Sequence, residues 1–185
     1  MGPKARSTER VLNTSKRSSV RIVAVAREFI DTTVDAIVEE EDTSLTLSAE
    51  PRVKQVGEPH EKLIQQALDS QPKALGSVVV KDDSPIRFLA IIHDLGQEPS
   101  WSEAWIATAL RNVLREAERR ALRSIALPAL GSVHGRFDER RFAVLLKDSL
   151  AQGKIAHLQT LWLIVSDHAG RDVFEELGIV TSDYL

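Results

Sequence analysis

The sequence predicts a three-layer α/β/α domain, and three features of it do so. Short apolar runs bounded by turn residues alternate with longer segments whose apolar residues recur at helical spacing. One such run, the first half of the stretch Ser124–Asp138, leads through a glycine-bracketed loop into a helix start, as in a strand–loop–helix unit. The length of 185 residues suits one domain, which at that size buries about 70% of its unfolded surface. We divide the chain into a basic arm over residues 1–19, expected to be flexible, and a single domain over 20–185.

The elements follow in order. The arm carries Lys4, Arg6, Arg10, Lys16 and Arg17 against one acid, Glu9, and is either a solvated tail or a tether for an acidic partner or nucleic acid. Val11-Leu12 is a candidate edge strand within it. Val20–Val25 reads as a strand, and Ala36–Val38 as a second. Just past the latter comes an unbroken acidic run, Glu39-Glu40-Glu41-Asp42, at the strand end where ligands sit in open α/β sheets. Pro59–Leu68 has the period of a helix, with His60 in its first turn.

Ser77–Val80 and Ile86–His93 read as paired strands around the turn Asp82–Pro85. His93 is expected to be a structural histidine at a strand end, because the sequence places no second catalytic group beside it. Ser100 and Glu103 have the spacing of a capping box, opening a helix to about Leu122 with Trp105, Ala109, Leu110, Val113, Leu114 and Ala117 on its buried stripe. Asp138 is the expected N-cap of a helix over about 138–150, Leu158–Ser166 the last strand, and Arg171–Leu177 the last helix.

Composition excludes several classes. No apolar run is long enough to span a bilayer, and no signal-peptide core follows the start, so a cytoplasmic protein without membrane contact is expected. Zero Cys excludes disulfides and thiolate metal sites, and no zinc spacing, P-loop, dinucleotide fingerprint or nucleophile elbow occurs; no metal or cofactor is expected. A net charge of -3 gives no overall attraction to nucleic acid, which leaves the arm as its only candidate contact.

Gly131, Ser132, Val133, His134, Gly135, Arg136 and Phe137 form the candidate ligand loop. Read from spacing alone it is either an ordinary strand-to-helix connection or an anion site built from loop amides and a helix N-terminus. Gly135 is the position expected to need a positive φ or a close backbone approach.

Ser124–Ser132 resembles the phosphate-loop strand of macro domains, the ADP-ribose-binding α/β/α family. Val34-Asp35-Ala36-Ile37-Val38 followed by Ser44-Leu45 resembles that family's first signature strand, and Phe88–His93 the strand before its long helix. The three occur in the family's order over roughly residues 20–177. The resemblance implies a mixed central sheet and a binding function for ADP-ribose or a related nucleotide through 131–137, with Glu40 and Asp42 near the ribose. Two alternatives accompany it: hydrolysis of ADP-ribosyl linkages, and a macro-like domain that binds no nucleotide and serves protein contacts.

The chain departs from the family's pattern at several places. Where the family has Asn-Ala-Ala-Asn this chain has Glu39-Glu40-Glu41-Asp42, and no glycine occurs in 43–56 where a glycine-rich loop is usual. The adenine-binding aspartate has no clear counterpart near Glu28-Phe29. Val133 stands where glycine is usual, and Arg136 offers a guanidinium in compensation. Carboxylates aimed at the pocket from about 8 Å would each oppose a phosphate charge by roughly 2 kcal/mol at an effective dielectric near 20; aimed at solvent, they would leave the loop free. Crowded together, the acids are expected to have raised pKa values. For catalysis the candidate groups are His134 with Glu40, Glu41 or Asp42, a carboxylate–histidine pair able to orient water.

Overall fold

The structure, a computed structural model, describes residues 8–11, 20–25, 34–47, 71–166, 173 and 175–177. The strands are β1 (Thr8–Val11), β2 (Arg21–Val25), β3 (Ala36–Asp42), β4 (Val78–Lys81), β5 (Ile86–His93), β6 (Ser124–Pro128) and β7 (Thr160–Ile164). Among the described residues two helices lie between them, α1 (Glu103–Arg119) and α2 (Glu139–Gln152). The described strands form one sheet in the order β1-β2-β7-β6-β3-β5-β4. The five central strands run parallel, while β1 and β4 pair antiparallel at the two edges, so the sheet is mixed.

Alternation along the strands assigns the faces. Ala36 and Val38, Phe88, Ala90 and Ile92, Ile125 and Leu127, and Leu161 and Leu163 join one hydrophobic core with Ile106, Leu110, Val113 and Leu114 of α1 and Phe142, Ala143 and Leu146 of α2. The intervening residues Val23, Leu89, Ile91 and Ala126 are buried too, so the middle of the sheet is covered on both faces. That is why β5 and β6 read as unbroken apolar runs rather than alternating ones.

Several boundaries differ from the sequence reading, each for a local reason. The acidic run does not follow β3 but is its second half; Glu39, Glu40 and Glu41 pair in register with Leu89, Ala90 and Ile91. Ser102, not Ser100, caps α1, accepting from the Trp105 amide at 3.3 Å. The buried stripe therefore starts at Ile106 rather than Trp105. The helix stops at Arg119 because Ala121 turns left-handed (φ 53°), and the Leu122 amide reaches back to the Ala117 carbonyl at 3.0 Å. The edge strand of the arm is Thr8–Val11 rather than Val11-Leu12. The expected helix over 59–68 with His60, the neighbourhood of Glu28-Phe29, and most of 171–177 lie outside the described residues.

Leu127 is fully buried at the centre of the sheet, on a strand between β3 and β7, and belongs to the core that both helices join. Leu127→Ala is expected to lower stability by about 2–5 kcal/mol, read from the urea midpoint by circular dichroism.

Candidate anion site at the carboxyl ends of the parallel strands

The site begins with β3. Glu40 follows Ala36 and Val38 on the core face, so its carboxylate points inward toward the loop after β6 rather than into solvent. That loop starts at Gly131, whose φ of 88° lies in the left-handed region; a Cβ there would stand 2.6 Å from Ile106 Cδ1. The tight turn brings three main-chain N–H groups onto one carboxylate. Gly131 N donates to Glu40 Oε1 at 2.6 Å, Val133 N to the same oxygen at 3.2 Å, and His134 N to Oε2 at 3.0 Å.

A fourth group completes the shell. His93 Nε2 lies 3.2 Å from Glu40 Oε2, and His93 Nδ1 lies 3.2 Å from the Ser100 hydroxyl. The side chains of Glu40 and His93 are each only 1% exposed. Sequence alone missed this pairing: it set His93 aside for want of a chemical neighbour, yet β3 and β5 are adjacent, and parallel pairing brings the two side chains together. The His134 ring stands edge-on to His93 at a centroid distance of 6.2 Å.

The other three acids have partners of their own. Glu39 takes the Arg87 guanidinium from β5 in a fork, with Nε 3.2 Å from each carboxylate oxygen. Glu41 Oε1 accepts from the amides of Asp42 at 3.0 Å and Leu47 at 2.7 Å. Between Glu41 and Asp42 the ladder slips by one residue, so that Asp42 faces His93 instead of Ile92 and its side chain is redirected. Asp42 then accepts from the amides of Ser44, Thr46 (2.9 Å) and Leu47 (3.1 Å), and from the Thr46 hydroxyl. These bonds hold Leu45 at a φ of 60° in a turn that has no glycine.

The run is therefore not a repulsive cluster at Asp42. Burial alone pushes that carboxyl up, but hydrogen bonds from the Thr46 hydroxyl and from the Ser44 and Thr46 amides hold it below its ordinary 3.8. The expectation of a raised value is reversed because the donors outweigh the crowding.

The remaining loop residues divide by role. The Ser132 hydroxyl donates to the Ala129 carbonyl at 2.6 Å and so closes the turn on itself. Phe137 is buried, its ring edge-on to Trp101 at 5.2 Å, which makes it a core residue. Gly135 has an ordinary φ but no room, since a Cβ would meet the Gly131 carbonyl oxygen at 2.4 Å and Trp101 Cδ1 at 2.7 Å. Close approach, not backbone sign, is the reason for that glycine. Val133, His134 and Arg136 are exposed. Asp138 caps α2 through the Arg140 amide at 2.7 Å and the Arg141 amide at 3.4 Å. The first-turn donors expected to help an external anion are thus already committed to the chain's own carboxylate.

Beside the loop opens a cleft of about 600 Å³, lined by Val38, Glu39, Glu40, Leu47, Val133 and His134, with Glu139 and Val165 among the residues across it. A model of the macro domain family matches residues 53–146, just over half of the chain. The chain belongs to the macro domain family. The macro domain of Oceanobacillus iheyensis with ADP shares 16% identity over 94% of this chain and 97% of its own, with a TM-score of 0.67. A mutant of that macro domain with ADPR gives a TM-score of 0.66 at 16% identity, again over 94% of this chain and 97% of its own. The macro domain of Thermus aquaticus DarG gives 0.56 at 16% identity, over 78% of this chain and 98% of its own. At such identity the likeness is one of fold. Among curated proteins none matches the sequence significantly. No helix among the described residues of this macro domain is long and apolar enough to cross a membrane.

Two outcomes follow from the geometry. Asp42, whose folded pKa is lowered, contributes stability that is fully present above its ordinary value and lost as pH falls through the folded one. Asp42→Asn turns an amide NH₂ toward N–H donors, and should cost about 1–3 kcal/mol near neutrality. The difference in melting temperature from the natural chain should begin to shrink below about pH 4, where the aspartate of the unfolded chain takes up its proton, and go on shrinking as the pH falls through the lower folded value. In the loop, Gly131→Ala should destabilise by about 1–3 kcal/mol, because it adds both a left-handed penalty and a clash with Ile106. Urea unfolding of the two variants beside the natural chain checks both costs, and thermal melts of Asp42→Asn and the natural chain over a pH series check the pH dependence.

Proposed function

We propose that this macro domain is a binding module for a nucleotide of the ADP-ribose class, taken in the cleft at the carboxyl ends of β3, β6 and β7 with the 131–137 loop as its phosphate cradle. The observation that carries this reading is the convergence of the Gly131, Val133 and His134 amides on a single anionic group. Three N–H groups aimed at one point form a nest for an oxyanion, and a phosphate oxygen has the same need as a carboxylate oxygen. The Oceanobacillus iheyensis macro domain, whose fold this chain shares, is known with ADP and with ADPR, which supports the same ligand class. Arg136, exposed on the loop, supplies a guanidinium within the same segment.

Hydrolysis finds less support. The carboxylate–histidine pair of this site is Glu40 with His93; both side chains are buried, and both Glu40 oxygens are already engaged. A general base must hold a free lone pair within reach of a water at the substrate, and this arrangement offers none from Glu40. The protein-contact reading is favoured by one observation, that the nest already holds the chain's own carboxylate.

Calorimetry with ADP-ribose tests the proposal. Saturable binding is expected, lost on Gly135→Val because the added side chain meets the Gly131 carbonyl and the Trp101 ring. Arg136→Ala should weaken binding less, by about 1 kcal/mol, and flatten its salt dependence. Binding left intact by Gly135→Val would remove the loop from the reading.

A further inference from the structure

Glu40 is a carboxylate in the position of a ligand. It is buried, it spans two loop amides with one oxygen and reaches a third amide and His93 with the other, and it lines the cleft from which an external anion would come. A phosphate cannot use the same three N–H groups while the carboxylate holds them, and at that distance the two charges repel. The other main-chain hydrogen bonds of the loop are local, from the Ser132 amide to the Ala129 carbonyl and from the Phe137 amide to the Gly131 carbonyl, and do not occupy the three amides.

We infer that Glu40 is the specificity-determining residue of the cleft, a resident anion that competes with the phosphate of any incoming ligand for the Gly131, Val133 and His134 amides. Only the identity of the ligand rests on the nucleotide reading above; the competition itself does not. An intramolecular competitor is always present at the nest, so the natural chain admits only ligands whose remaining contacts outweigh it, and a simple anion gains little. Glu41 and Asp42 are no substitute competitors, because their oxygens are held by the 42–47 turn.

The experiment compares the natural chain with Glu40→Ala and Glu40→Gln. The alanine variant empties the nest. The glutamine variant keeps the volume and one acceptor oxygen while removing the charge, and carries the test should the alanine variant fold poorly by circular dichroism. Each protein is titrated with inorganic pyrophosphate and, separately, with ADP-ribose, and amide exchange of residues 131–134 is followed by NMR. Removing the carboxylate should tighten pyrophosphate binding by on the order of tenfold or more, the equivalent of one charge-assisted hydrogen bond, and should speed exchange of the three amides. ADP-ribose should follow pyrophosphate. Tighter pyrophosphate binding without any ADP-ribose binding would uphold the competition and overturn the nucleotide reading. Unchanged pyrophosphate affinity in both variants would overturn the competition, whatever ADP-ribose does; ADP-ribose bound equally by all three proteins would do the same while leaving the nucleotide reading intact.

Discussion

A carboxylate removed from water must be met by donors, at a penalty of several kcal/mol if it is not. Glu40 meets that demand with three amides of one loop and the ring of His93, and much of the site's geometry follows from it. For three successive or near-successive N–H groups to aim at one point, the backbone must fold back sharply after β6. Gly131 does so by taking a left-handed φ, and in doing so it comes against Ile106 and Phe137 so closely that no side chain fits. Phe137 then packs on Trp101, and Trp101 fills the space beside Gly135. The loop's shape is thus set from two sides, by a buried charge within and by aromatic packing without.

The same constraint reaches β5. His93 is kept in place by the Ser100 hydroxyl on one nitrogen and Glu40 on the other, and the slip in the β3–β5 ladder brings Asp42 opposite it. Ser100 therefore serves the histidine, and capping of α1 passes to Ser102. A single carboxylate ties together the end of β3, the end of β5, the start of α1 and the loop before α2. Removing it would leave several donors facing a void, which is why its neutral isostere is the more informative replacement.

How much of this is legible in the sequence depends on the range of the interaction. Most of the described strands, the two described helices and the Asp138 cap follow from period and local capping, because each signal lies within a few residues of its effect. The strand order was reachable only through resemblance, since nothing local tells β3 to lie between β5 and β6. The exchange of Ser100 for Ser102 and of Trp105 for Ile106 shows the limit on the local side: two serines with helix-start spacing cannot be separated until one is claimed by a distant histidine. The glycines split the same way. Gly135 carries the sequence expectation of close approach or a positive φ, and the structure shows the former, while Gly131, a candidate ligand-loop residue with no such expectation, is the one that takes the positive φ.

The acidic run carries the last step. Four consecutive carboxylates invite treatment as one patch of negative charge, and either as a repulsive cluster or as a solvated one. The strand period divides them instead: Glu39 and Glu41 go to one side and Glu40 to the other, and the bulge sends Asp42 to a turn of its own. They then meet three sets of donors: a guanidinium for Glu39, loop amides and an imidazole for Glu40, and turn amides for Glu41 and Asp42. Charge counted along the sequence overstates the field that a ligand in the cleft would feel, because paired charges act over short distances. What the ligand meets is one specific competitor at the amides it needs. A macro domain with this strand is distinguished less by its net charge than by which of its carboxylates the pleat happens to turn inward.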